Sequence, residues 1–111
     1  MSKADRAPLY TDAFALCQWL LGRFGDDDRV LARAICQRGL TLLDAITLAL
    51  RGRHRDHCID AADEQLIGLR NELRLAAAAG YLSESQAVHV LDRADAIGRQ
   101  LGGWVRALGP V

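Results

Sequence analysis

The sequence predicts an all-α fold, an antiparallel up-down-up-down left-handed four-helix bundle. Three observations carry that expectation. Half of the 111 residues are hydrophobic but only 5% are aromatic, and about a third are Ala or Leu, an aliphatic and helix-prone composition. The two prolines are Pro8 and Pro110, so the residue that most strongly interrupts helices is missing from Leu9 to Gly109. Apolar residues also recur at alternating spacings of three and four along four successive segments, and glycines or capping residues separate those segments. The length suits one compact domain spanning 1–111.

The first helix is expected over 8–24, entered at Pro8, with Tyr10, Phe14, Cys17, Leu21 and Phe24 as its apolar stripe and Ala13, Leu16 and Leu20 widening it. Gly25 breaks the pattern. Asp26, Asp27 and Asp28 then supply N-cap and first-turn carboxylates for a second helix over 28–50, which leaves through Arg51-Gly52-Arg53. The third helix, 56–79, carries Ile59, Ala62, Leu66, Leu69, Leu73 and Ala76 on one side and is closed by Gly80. Ser83 and Gln86 form a capping box and Leu82 is placed to staple onto Ala87, opening a fourth helix over 83–108. Its apolar face is Val90, Leu91, Ala94, Ile97, Leu101, Val105 and Leu108, and Gly109-Pro110 stops it. Connections this short make successive helices antiparallel neighbours.

The second helix has more apolar surface than one core needs. Leu31, Ile35, Leu42, Ala45, Ile46 and Ala49 make one stripe, and Cys36, Leu40, Leu43 and Leu50 make another on the nearly opposite side, which predicts self-association. Trp19 lies off the first helix's stripe, where a monomer would expose it, and Gly98, Gly102 and Gly103 inside the fourth helix suggest a closely approaching backbone. A partly covered surface aromatic and loose packing at a helix end would explain the same residues.

Charge and motifs narrow the function. Fourteen Lys+Arg balance fourteen Asp+Glu, a poor start for unassisted binding to nucleic acid or acidic membranes. No apolar run is long enough for a membrane span, the first ten residues carry no hydrophobic signal core, and Cys17, Cys36 and Cys58 fit reduced thiols, so a cytoplasmic protein is expected. His54, His57 and Cys58 offer ligand-type side chains within one helical turn, but Arg53 and Arg55 repel a cation and no second Cys/His pair has zinc-like spacing; no metal is expected. His54-Arg55-Asp56 matches the kinase H-R-D, but no glycine-rich loop or D-F-G accompanies it. Glu64, Glu72 and Glu84 lack a His three residues later, which excludes a di-iron bundle site. With no nucleotide-binding or nucleophile-elbow motif either, neither a cofactor nor catalysis is expected.

Antiparallel helices gather Lys3, Arg6, Arg51, Arg53, Arg55 and Arg106, with His54 and His57, at one end of the bundle against Asp5, Asp12, Asp56 and Asp60. The other end holds Asp26, Asp27, Asp28 and Glu84 near Arg23 and Arg29. The basic end either contacts phosphates or an acidic protein surface, or only caps helix carbonyls and keeps the bundle soluble. Arg38, Arg70 and Arg74 read as paired structural arginines.

The run Ile97-Gly98-Arg99-Gln100-Leu101-Gly102-Gly103-Trp104-Val105-Arg106 resembles the G-R-x-L-G-G-W-x-K/R signature of Avd-like four-helix-bundle proteins, which include the accessory variability protein of diversity-generating retroelements. Leu69-Arg70-Asn71-Glu72-Leu73-Arg74-Leu75-Ala76 is similar to that family's third helix, and Tyr81-Leu82-Ser83 to its following turn. Related bundles are encoded in intervening sequences of ribosomal RNA genes. The resemblance implies a noncatalytic bundle assembled as a ring of five, a homopentamer, which in the retroelement members binds a reverse transcriptase and nucleic acid. By residue it implies packing roles for Gly102, Gly103 and Trp104 and binding contacts at Arg99 and Arg106. The departure is charge: retroelement members are strongly basic, whereas this chain is neutral with a single lysine.

Overall fold

A computed structural model describes residues 7–107 and contains four helices: α1 (Pro8–Phe24), α2 (Val30–Leu50), α3 (Arg55–Ala78) and α4 (Glu84–Ala107). No strand occurs among the described residues. Local sequence explains most boundaries. Extended Ala7 leads into Pro8, whose fixed φ suits a first helical position. At the other end of the chain Ser83 Oγ accepts from the Gln86 N–H at 3.1 Å while the Ser83 N–H donates to Gln86 Oε1 at 2.9 Å, the reciprocal box that starts α4. Leu82 and Ala87 are both buried beside it. The α3 helix ends in a Schellman turn, with Gly80 at φ 83° and the Tyr81 N–H returning to the Ala76 carbonyl at 2.8 Å.

Three starts differ from expectation, that of α4 by one residue because Ser83 serves as its cap. The α2 helix begins at Val30, and no side chain caps it. Asp27 accepts both the Arg29 backbone N–H at 2.9 Å and the charge-assisted fork of the Arg29 guanidinium, ahead of the first helical residue. The α3 helix starts at Arg55, one residue early, after His54 adopts a left-handed conformation.

The helices pack as a closed square: α1 lies against α2 and α4, and α3 against the same two. Leu9, Ala13, Leu16, Leu20 and Phe24 of α1, Ala32, Ile35, Leu42 and Ile46 of α2, Ala62, Leu66, Leu69 and Leu73 of α3, and Val90, Ala94, Ile97 and Leu101 of α4 form one continuous core. Polar contacts pin the seams. Arg38 donates to Glu72 and Gln65, each at 3.0 Å, across α2 and α3. Its guanidinium lies over Gly68, where a Cβ would come within 2.5 Å of Arg38 Cζ. Arg70 pairs with Asp95 at 2.7 Å across α3 and α4, and Gln100 donates to Asp12 at 2.7 Å across α4 and α1. Arg74, expected to be paired, is exposed and forms no ion pair among the described residues.

The inward face of α1 is rotated from the expected stripe. Leu9 is buried, Tyr10 is half-buried, and Phe14 and Leu21 are 43% and 45% exposed. Apolar residues occupy more than half of this helix's circumference, so periodicity alone does not point inward. On α2 the expected core stripe is buried apart from half-buried Leu31. Its second stripe is a flank rather than an opposite side: Cys36, Leu43 and Leu50 are half-buried against this chain's own core, and Leu40 is 39% exposed. That flank leans on α1, where the Cys36 thiol faces the Leu20 carbonyl at 3.8 Å and the Cys17 thiol donates to the Gly39 carbonyl at 3.1 Å. Trp19 is also half-buried, edge-on to Phe24 and 5.9 Å from the His89 ring. On α4, Val105 is exposed rather than part of the apolar face, and Leu108 lies outside the described residues.

Candidate binding surface at the α2–α3 end

The turn between α2 and α3 builds the surface. Gly52 sits at φ 75°, a conformation glycine adopts without penalty, and His54 at φ 48°. The Gly52 and Arg53 N–H groups return to the Ala49 and Leu48 carbonyls at 3.0 and 2.9 Å. This second Schellman turn consumes the end of α2 and leaves Arg51, Arg53, His54 and Arg55 exposed in succession. One turn into α3, Cys58 and Ile59 point inward with Ala49 as a small apolar cluster. Trp104 of α4 packs half-buried against it. The Arg55 guanidinium lies over the Trp104 ring, 4.9 Å from its centroid, which ties the start of α3 to the end of α4. Exposed Arg106 follows two residues later.

Four of the five predicted contact arginines, Arg51, Arg53, Arg55 and Arg106, therefore share one end, with Asp56 and Asp60 as the carboxylates of the neighbouring α3 turns. Arg99 stands seven residues before Arg106, about 10 Å along the helix. There it edges a groove of about 330 Å³ between α3 and α4, lined also by Asp63, Leu66, Ile67, Arg70, Asp95 and Gly98. Lys3, Asp5 and Arg6 lie outside the described residues. Arg53, Arg55 and Arg106 form no ion pair among the described residues.

The opposite end treats its arginines differently. Arg29 forks onto Asp27 at 2.7 to 3.1 Å and lies 3.6 Å from the centroid of the Tyr81 ring, and Arg23 donates to the Tyr81 carbonyl and covers Phe24. The Arg29 hydrogen bonds hold the Asp27 carboxyl down at about 2. The same contact raises Arg29.

The remaining candidates separate. His54 and His57 are exposed while Cys58 is buried, and no group of three His, Cys, Asp or Glu side chains among the described residues is placed to hold a metal ion. Burial pushes the Cys17 thiol up to about 11 and raises Cys36 as well, so neither is an activated thiolate at neutral pH. Of the fourth-helix glycines, Gly98 admits α3, with Leu66 Cδ2 3.3 Å from where a Cβ would stand. Among the described residues, Gly102 and Gly103 face the Arg106 guanidinium and no backbone. Sequence reasoning missed two contacts. A glycine in the middle of α3 was the available sign of close approach at Gly68, but nothing local links Arg55 to Trp104.

The fold makes this chain a four-helix-bundle protein, and no helix of it is long and apolar enough to cross a membrane among the described residues. It belongs to the bAvd-like family, whose model matches residues 14–108. No curated protein and no solved structure matches the chain at a significant level.

Proposed function

We propose that this protein is a non-enzymatic, self-associating scaffold that docks nucleic acid through its α2–α3 end, with Arg51, Arg53, Arg55 and Arg106 as the phosphate contacts and Arg99 on the adjoining groove. The observation that carries this reading is the contrast between the ends. One pairs Arg29 with the Asp27 carboxylate and holds Arg23 on the Tyr81 carbonyl, and the other presents Arg53, Arg55 and Arg106 without a carboxylate partner among the described residues. Family membership supports an accessory role, and the resemblance adds a reverse transcriptase as a protein partner and a ring of five as the assembly.

Self-association supplies what one neutral chain lacks, because copies arranged with like ends together multiply the arginines that a single strand of phosphates meets. The surface available for it is the α1–α2 flank, where exposed Phe14, Leu21 and Leu40 adjoin half-buried Cys36, Leu43 and Leu50. Trp19 and Trp104 already pack on their own core and contribute at most their remaining faces.

Light scattering and fluorescence anisotropy with a mixed-sequence RNA test the reading together. A multimer at micromolar concentration and salt-weakened binding are expected, and Leu40→Glu with Phe14→Glu should release monomers. A monomer that binds no RNA at low salt contradicts it. A multimer that binds none supports the second reading, a purely structural oligomer, which the zero formal net charge favours.

A further inference from the structure

We infer that the Arg55–Trp104 pair is a stacking platform, and that the nucleic acid this end selects is single-stranded; the inference rests on the nucleic-acid reading above. Trp104 rests against Ala49, Cys58 and Ile59, and the Arg55 guanidinium lies over its ring at 4.9 Å. A guanidinium held this way is flat, weakly hydrated and limited in rotation, and exposed Arg55 keeps surface turned to solvent. Exposed Arg53 and Arg106 lie at the same end of the bundle, where they can meet a phosphate chain.

A duplex presents such a surface with phosphates and base edges, since its base faces are occupied by their own stack. An unpaired base offers a free π-face that can lie on the guanidinium, extending the indole–guanidinium pair by one layer. The carboxylates at this end, Asp56 and Asp60, oppose dense duplex phosphates no less than single-strand ones, so they do not reverse the preference. Arginine clusters alone bind both forms, and the ordered aromatic partner beneath Arg55 is what separates them.

The test uses the full chain, a labelled unstructured pyrimidine oligonucleotide and a duplex of equal length, each titrated by anisotropy at one salt concentration. Tighter single-strand binding by about tenfold, the worth of one stacked base, is expected. In a Trp19→Phe background, Trp104 fluorescence should change on binding the single strand. Arg55→Lys keeps the charge and Trp104→Leu keeps apolar packing, and each should bring the single-strand affinity to the duplex level with an unchanged salt slope. Equal affinity for both forms in the wild type, or an unaltered preference in both variants, overturns the platform and leaves nucleic-acid docking standing. No binding of either form at low salt overturns both.

Discussion

The two ends of this bundle use the same residue type to opposite effect. At the α1–α2 and α3–α4 turns, Arg23 and Arg29 are absorbed into the fold: Asp27 forks onto Arg29, and the Tyr81 ring and carbonyl take one guanidinium each. At the α2–α3 end, the Arg53 N–H is taken up by the Leu48 carbonyl while its side chain is exposed, Arg106 is exposed in the last turn of α4, and Arg55 is held by an aromatic ring that leaves its charge uncancelled. The difference lies in the partners, since a zero net charge averages over both ends. A neutral chain can therefore still expose a cluster of arginines, because Arg29 is paired with Asp27 while Arg53, Arg55 and Arg106 form no ion pair among the described residues.

The largest expected effect is on packing beneath the two ends. Phe24→Ala, at a fully buried ring under Arg23, should lower stability by about 3–5 kcal/mol in urea denaturation, whereas Trp104→Ala at a half-buried ring should lower it clearly less. Equal losses would mean that Trp104 is a core residue and not a surface platform. Next in size, Ser83→Ala removes the α4 cap and should cost about 1 kcal/mol in the same assay. No side chain caps α3, so the basic end has no equivalent to lose.

Smaller effects come from the surface charges. Asp27 has its folded pKa at about 2, below the unfolded value near 3.8, so its contribution is complete above that unfolded value and disappears as pH falls through about 2. Asp27→Asn should flatten that part of the acid-unfolding curve. Arg29→Ala should lower the Tm slightly by freeing Asp27 and Tyr81, and Arg53→Ala should leave it unchanged, because no described ion pair depends on Arg53.

Much of this fold was legible because local signals agreed. Pro8 set the start of α1, the stripe from Ile59 to Ala76 on α3 is buried throughout, and Ser83 with Gln86 marked the start of α4. The inward side of α1 was not legible, since Phe14 and Leu21 are as apolar as the Leu16 and Leu20 that won the core. How far this chain covers the second stripe of α2 and Trp19 was not legible for a related reason: a helical wheel shows direction but not how far a neighbouring helix reaches round the flank. The arginines of the α2–α3 end could be collected from topology alone. What each arginine meets depended on the approach of Tyr81 to Arg29 and of Trp104 to Arg55, contacts that exist only after the helices assemble.

The most direct measurement compares matched neutralisations at the two ends, Arg53→Gln with Arg55→Gln against Arg23→Gln with Arg29→Gln, by titrating one RNA across a range of salt. Docking at the α2–α3 end predicts that the first pair weakens binding and flattens the salt slope by about 0.7 for each single-strand phosphate that is no longer neutralised. The second pair should leave the slope as in the wild type. Equal weakening by both pairs, or a slope that neither pair changes, would contradict it.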